Sequence, residues 1–138
     1  MMEAYLNLQR TADHLRTEEL RILRPLGLTP QQYNVLRILR GAGTDGLPSA
    51  EIGVRMVTRV PDVTRLVDRL EAAGLVERTR SESDRRVVLV RIGKKGLELL
   101  AGIDEPMKRM PDKLMGGLGA AELRKLNDLL VRLRGAQD

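Results

Sequence analysis

The spacing of apolar residues predicts that the chain begins with two helices. Across residues 3–24 apolar side chains recur every three or four positions, which is typical of a helix with one buried face, and the Pro-Leu-Gly run at 25–27 ends it. A second helix is predicted to begin at Pro30, because Thr29 can cap it and Gln32 completes a capping box. Its core-facing residues would be Tyr33, Leu36 and Leu39.

The middle of the chain carries two further helix patterns. Ser49 can cap a short helix that contains Ile52 and Met56. The next helix is predicted to begin at Pro61 and to end at Gly74, whose place after the last turn suits a left-handed backbone. Its apolar positions form a single stripe made of Val63, Leu66, Val67 and Leu70.

The second half of the chain begins with a predicted hairpin and ends in helices. Extended segments at 75–80 and 87–92, joined by a short polar link, predict a β-hairpin with a charged tip. From Lys94 the pattern is helical again, with a kink or a break expected where proline occurs at Pro106 and Pro111. The last helix, 120–134, carries a stripe made of Leu123, Leu126, Leu129, Leu130 and Leu133. Packing within the chain is one way to cover such a stripe, but wide apolar faces on terminal helices favour a dimer interface.

These elements predict a mainly α fold with a small β-hairpin wing, that is, a winged helix-turn-helix with terminal dimerisation helices. We predict a single domain over residues 1–138. Within it, residues 28–94 form the winged helix-turn-helix, and residues 1–25 and 95–138 form the dimerisation helices.

The positive charge of the chain is concentrated in its centre. The formal net charge is +5, and the whole surplus lies between Arg55 and Lys95, where eleven basic residues stand against six acidic ones. Phosphate binding needs such a local basic excess, although a solvated basic face without a partner has the same composition. Tyr5 and Tyr33 are the only aromatic residues. A duplex therefore fits better than a single strand, whose bases stack on aromatic rings.

The composition also argues against several classes of protein. The absence of cysteine rules out disulfides and thiolate metal sites, and it fits a reducing compartment. No segment is apolar enough to span a membrane and no signal-peptide pattern is apparent, so we expect a cytoplasmic protein without a membrane partner. With one histidine and no nucleotide- or zinc-binding motif, we expect neither an enzyme nor a cofactor.

The exposed face of the helix after Pro61 is the first candidate site for DNA. A helix fits the major groove, and its N-terminal residues usually meet the base edges. Arg65 can bind a guanine through two hydrogen bonds, and Thr64 can contact a thymine methyl group or a phosphate. Asp62 either accepts a hydrogen bond from a cytosine amino group or stabilises the helix N-terminus, and we favour the second role. The candidates here are Thr58, Arg59, Asp62, Thr64, Arg65 and Arg69.

The tip of the hairpin is the second candidate site. Arg85 and Arg86 suit a narrow minor groove, where the potential is most negative, and Asp84 can hold the guanidinium of Arg86 by a charge-assisted hydrogen bond. Arginine pairs also occur at solvated turns. A wing that binds protein without reading DNA is the alternative, but such a wing does not need the two arginines.

Two segments carry a resemblance to a known family. The segment 63–78, VTRLVDRLEAAGLVER, resembles the recognition helix and first wing strand of MarR-family transcription regulators, and 84–90, DRRVVLV, resembles their D-x-R wing tip. The order of elements is similar over nearly the whole chain. The resemblance places Thr64 and Arg65 in the major groove and Arg86, partnered by Asp84, in the minor groove.

The resemblance also implies how such a protein works. It implies a homodimer built from the first and last helices that binds a pseudo-palindromic operator, usually as a repressor. It further implies that a small phenolic or anionic effector changes the affinity for DNA by entering a cleft between the dimerisation and DNA-binding parts.

Four residues outside the best-matching segments have more than one interpretation. Many members carry serine near the recognition-helix cap, whereas residues 56–62 here read MVTRVPD, so either Thr58 caps one residue early or Arg59 meets the DNA backbone. His14, the only histidine, is a candidate effector contact on the first helix, or else a structural or exposed side chain. We expect Tyr33 in the core rather than at a ligand.

Overall fold

The computed structural model describes residues 1–135, and the last three residues of the predicted dimerisation segment, 136–138, lie outside the described residues. The six α-helices and the hairpin of the described part occur in the predicted order. Their bounds are α1 Met2–Leu23, α2 Pro30–Ala42, α3 Ser49–Arg55, α4 Val63–Ala72, β1 Val76–Arg80, β2 Val88–Ile92, α5 Lys94–Met115 and α6 Ala120–Gly135. The predicted fold class, a mainly helical winged helix-turn-helix, is confirmed.

Local signals in the sequence set several of these boundaries. The capping box at the start of α2 is present: Thr29 Oγ1 accepts from the Gln32 amide at 3.1 Å, and Gln32 Oε1 accepts from the Thr29 amide at 3.0 Å. Gly74 follows α4 with a φ of 74°, in the left-handed region that favours glycine. Both features were predicted from residue type and spacing alone.

The core collects buried apolar residues of α2, α3, α4, the hairpin and the first half of α5, together with Leu23 at the end of α1. Tyr33, Leu36 and Leu39 of α2 are buried as predicted, and so are Val67 and Leu70 of α4. Val63 and Leu66 of the same predicted stripe are only partly buried. Helix α4 packs against α2, α3 and β1, so its inner side is covered by three different elements. This packing holds the recognition-type helix in one rotational setting.

A third segment pairs with the two-stranded hairpin. β1 and β2 pair antiparallel, with Val76 opposite Ile92 and Arg80 opposite Val88. On the other edge of β2, Leu47 exchanges two backbone hydrogen bonds with Val90, at 2.9 and 2.8 Å. The preceding Gly46 has a φ of 70°, and a Cβ there would lie 2.5 Å from the carbonyl oxygen of Val90. The glycine-rich loop thus anchors the wing to the body.

Three predicted helix details were wrong. Ser49 is the first residue of α3 and makes no capping bond, and Met56 lies just beyond the last helical residue, because α3 is only seven residues long. Helix α4 begins at Val63 rather than at Pro61, because Asp62 takes the capping position.

Of the kink or break expected in α5, the break is wrong, since this helix continues through both Pro106 and Pro111, and the kink stays a prediction. A proline removes one backbone hydrogen bond and crowds the preceding turn. The remaining hydrogen bonds of a 22-residue helix keep it continuous.

The chain divides into two compact units. The first, Met1–Asp104, contains α1 to α4, the hairpin and the first half of α5, and within it Arg40 of α2 makes two hydrogen bonds to Asp104, at 2.9 and 3.0 Å. The second begins at Glu105 and contains the rest of α5 and α6. No described residue of α6 is buried. The predicted division into a winged helix-turn-helix and dimerisation helices stays a prediction.

We expect Thr29→Ala to lower the free energy of unfolding by about 1 kcal/mol, because it removes the side-chain acceptor from the start of α2. Urea denaturation followed by circular dichroism measures the change. Thr29→Ser, which keeps the hydroxyl, is the control and should stay close to the unaltered protein. Equal stability of the alanine and serine variants would contradict a stabilising cap.

Candidate nucleic-acid interface

Helix α4 presents a polar, mostly basic face to solvent. Val67 and Leu70 are buried on its inner side, and Thr64, Arg65 and Arg69 are exposed on its outer side. Because the inner side is fixed by packing, the outer side chains have a defined direction relative to the body. The structure therefore places these three predicted site residues together on one accessible surface.

The start of α4 is organised by Asp62. Its Oδ1 accepts a hydrogen bond from the backbone amide of Arg65 at 2.9 Å, which is the N-cap interaction. The role that we favoured for Asp62, stabilising the helix N-terminus, is thus present, and Thr58 does not cap this helix. Thr58 and Arg59 lie exposed in the irregular segment 56–62, before the helix.

A side chain of α2 fastens the segment before α4 to the body. The amide of Val57 donates to Oδ1 of Asn34 at 2.8 Å. This bond lies next to Thr58 and Arg59, so these exposed side chains start from an anchored backbone. This contact was not predicted from residue spacing, because the two residues are 23 positions apart.

The wing tip is held by its own hydrogen bonds. Asp84 Oδ1 accepts from the backbone amide of Arg86 at 3.0 Å and from its Nε at 3.2 Å, as the sequence predicted. The side chain of Arg86 is nevertheless 92% exposed, so its terminal nitrogens point into solvent. Arg80 of β1 donates to the carbonyl oxygen of Arg85 at 2.8 Å. The tip therefore presents Arg85 and Arg86 on a supported loop.

Arg78 joins β1 to α4 by ion pairs that were not predicted from the sequence. It lies on β1, and its Nη2 is 2.6 Å from Asp68 Oδ1 while its Nη1 is 3.0 Å from Glu71 Oε1. Nη2 also donates to the carbonyl oxygen of Thr64 at 3.3 Å. Burial disfavours the guanidinium charge, but the hydrogen bonds to Asp68 and Glu71 outweigh it and raise the pKa of Arg78. Only the paired strand and helix bring these groups together.

A shallow groove lies at the C-terminal end of α1, and two of the side chains that line it are basic. Thr17, Leu20, Arg21, Arg24 and Pro25 line it. His14 is exposed, lies about one turn earlier on α1, and does not line this groove.

Tyr33 belongs to the core, as expected. Its ring is 5% exposed, and the guanidinium carbon of Arg37 lies 5.8 Å from the ring centre. Burial raises the pKa of its phenol, and the Arg37 charge opposes that rise. The described residues contain no cluster of acidic or histidine side chains suited to a metal ion. Among the helices of that same part of the chain, none is both long and apolar enough for a membrane span.

The comparisons with known proteins agree on one family. The sequence profile of the MarR family matches residues 26–87. The HTH-type transcriptional repressor MdtR of Bacillus subtilis is 34% identical over 113 residues, which cover 79% of this chain and 72% of that protein.

Solved structures support the same assignment. The crystal structure of a MarR transcription factor from Planctomyces limnophilus is 42% identical, covers 94% of each chain and superposes with a TM-score of 0.73. The crystal structure of the S. aureus MepR–DNA complex has a TM-score of 0.84 over 96% of this chain and 97% of that chain. Its identity of 22% shows a shared fold and no more.

We expect Asp62→Ala to lower the free energy of unfolding by about 1 kcal/mol, because the amide of Arg65 loses its acceptor. Asp62→Ser keeps a capping oxygen without the charge and should be close to the unaltered protein. Thermal and urea unfolding of the three proteins measure the difference. A serine variant as unstable as the alanine variant would show that the carboxylate does something other than capping.

Proposed function

This chain belongs to the MarR family of winged-helix transcription regulators, and from that membership we propose that it is a repressor that binds duplex DNA as a homodimer. Its operator is a pseudo-palindrome, with one half-site for each winged helix-turn-helix. The MdtR relative is itself described as a repressor, and the matched MepR structure is a complex with DNA.

The single observation that carries this proposal is the geometry of Arg86. Its guanidinium is 92% exposed at the end of a hairpin, yet its Nε is tied to Asp84. An arginine that is both extended and preorganised suits insertion into a narrow minor groove, because less side-chain freedom is lost on binding. A wing used only to bind protein has no need of a held guanidinium.

Helix α4 supplies the second contact. Its outer face carries Thr64 and Arg65 in the first turns, where recognition helices meet base edges in the major groove. Arg65 reads a guanine through two hydrogen bonds, and Arg69 lies one turn later on the exposed face. Thr58 and Arg59, anchored through the neighbouring Val57, lie within reach of the phosphates that border the groove.

The dimer is supported by apolar surface that the described chain leaves uncovered. On α1, Tyr5 and Leu8 are about half exposed, and on α6 so are Leu129 and Leu133. On each of these terminal helices, such residues form an apolar patch that a second copy covers. The two-fold axis of that dimer then relates two wings and two α4 helices, which matches a pseudo-palindromic site.

An effector site is the finer part of the proposal. The groove at the end of α1 has an apolar wall formed by Leu20 and Pro25 and two guanidinium groups from Arg21 and Arg24. This chemistry suits a small anionic or phenolic molecule, with the ring on the apolar wall and the oxygen near an arginine. His14 lies one turn away on the same helix and is a contact for the larger of such molecules.

We expect Arg86→Ala to weaken binding to a duplex selected from random sequence by about 1–3 kcal/mol and to lower the salt slope by about one. Fluorescence anisotropy across a salt series, with excess non-specific competitor, measures both quantities. Arg10→Ala on α1 removes the same charge away from the wing and is the matched control. Equal affinity of the unaltered and Arg86→Ala proteins would contradict a minor-groove role for the wing.

We expect Leu129→Glu to convert the dimer into monomers, because it places a charge in the apolar stripe of α6. Val131→Glu makes the same kind of change on the opposite side of this helix and should leave the dimer intact. Sedimentation velocity measures the oligomeric state of both variants. A dimeric Leu129→Glu protein would exclude this face of α6 from the interface.

A further inference from the structure

Arg78 offsets part of the negative charge of two acidic side chains on the helix that is proposed to enter the major groove. Thr64, Asp68 and Glu71 occur at i, i+4 and i+7 of α4, so they form one stripe along a single face. Arg78 contacts all three members of this stripe, through the Thr64 carbonyl oxygen and the two carboxylates. The stripe thus begins at a residue proposed to contact DNA and continues into two negative charges.

Those two charges present an electrostatic problem for DNA binding. The side chains of Asp68 and Glu71 are 60% and 44% exposed, so other side chains do not cover them. Their carboxylates have the same sign as the phosphates that border the major groove. A positive group near both of them reduces that repulsion, and Arg78 is the group that contacts both.

The geometry of Arg78 distinguishes it from the arginines that face solvent. Its side chain is 22% exposed, whereas that of Arg86 at the wing tip is 92% exposed. Three of its hydrogen bonds go to α4, so its donors are turned toward the protein rather than outward. It is therefore placed to act through α4 instead of binding a phosphate itself.

We propose that Arg78 is a positioning residue for DNA recognition, which acts from the first wing strand by offsetting the negative charge of Asp68 and Glu71 on the recognition helix. This inference rests on the proposed DNA-binding function. Removing Arg78 leaves two uncompensated carboxylates on the binding side.

The test compares Arg78→Met with a triple variant in which Arg78, Asp68 and Glu71 are all replaced by uncharged residues. Arg78→Met removes the positive charge and keeps much of the apolar stem, and we expect it to weaken binding to the selected duplex by about tenfold or more. Adding Asp68→Asn and Glu71→Gln to Arg78→Met removes both negative charges, and we expect binding to recover to within about threefold of the unaltered protein. Arg10→Met on α1 controls for the loss of one positive charge elsewhere.

The triple variant separates electrostatics from structure. If Arg78 acted only as a mechanical support or bound a phosphate directly, the triple variant would bind as weakly as Arg78→Met, and this result would overturn the proposal. Unchanged binding by Arg78→Met would overturn it as well. Thermal unfolding of each variant shows whether a loss of binding accompanies a loss of fold.

Two further proteins complete the design. The double variant Asp68→Asn, Glu71→Gln retains Arg78 and provides the test even if Arg78→Met does not fold. We expect it to bind the duplex at least as tightly as the unaltered protein, and weaker binding would overturn the inference. Arg86→Ala separates this idea from the function on which it rests. If the unaltered protein shows no competitor-resistant binding to any duplex, the proposed DNA-binding function is refuted. If Arg86→Ala weakens binding as expected but the triple variant does not recover the affinity lost in Arg78→Met, only the role of Arg78 is refuted.

Discussion

Burial of one side of α4 is the constraint from which the candidate interface follows. Val67 and Leu70 are enclosed by α2, α3 and β1, and rotating the helix would expose them and bury the side chains of Arg65 and Arg69. Exposing two aliphatic residues and desolvating two guanidinium groups are both costly. The same packing that stabilises the domain thus decides which residues face a duplex, so stability and recognition are properties of a single helix.

The wing extends that arrangement through backbone pairing. β2 pairs with β1 on one edge and with Leu47 on the other, so the hairpin is held from both sides before it projects into solvent. Asp84 and Arg80 then organise its tip with hydrogen bonds to the backbone of Arg86 and Arg85. A projecting arginine loses less freedom on binding when its loop is already ordered.

The arginines of the central basic segment differ in what their side chains contact. The guanidinium groups of Arg78 and Arg80 bond α4 and the wing-tip backbone, whereas Arg65, Arg85 and Arg86 extend into solvent, the last with its Nε bonded to Asp84. Net charge counts all five equally. The distinction matters because only an exposed guanidinium can release counterions from DNA, while one that is paired internally shapes the charge of its neighbours.

Much of this protein was determined by local chemistry that can be seen in the sequence. Element order, the capping box at Thr29 and the glycine after α4 depend on residue type and near-neighbour spacing, and the D-x-R tip depends on two positions in one turn. Where a local signal had competitors the prediction failed: Asp62 displaced the expected start at Pro61, and the hydrogen bonds of a long helix prevented a break at Pro106 and Pro111. The contacts of Arg78 with Asp68 and Glu71, of Leu47 with Val90, and of Asn34 with Val57 were decided only by tertiary structure. Each of them joins residues on different elements, and a side chain selects among many oppositely charged or polar partners only when the folded backbone brings one of them within hydrogen-bond distance.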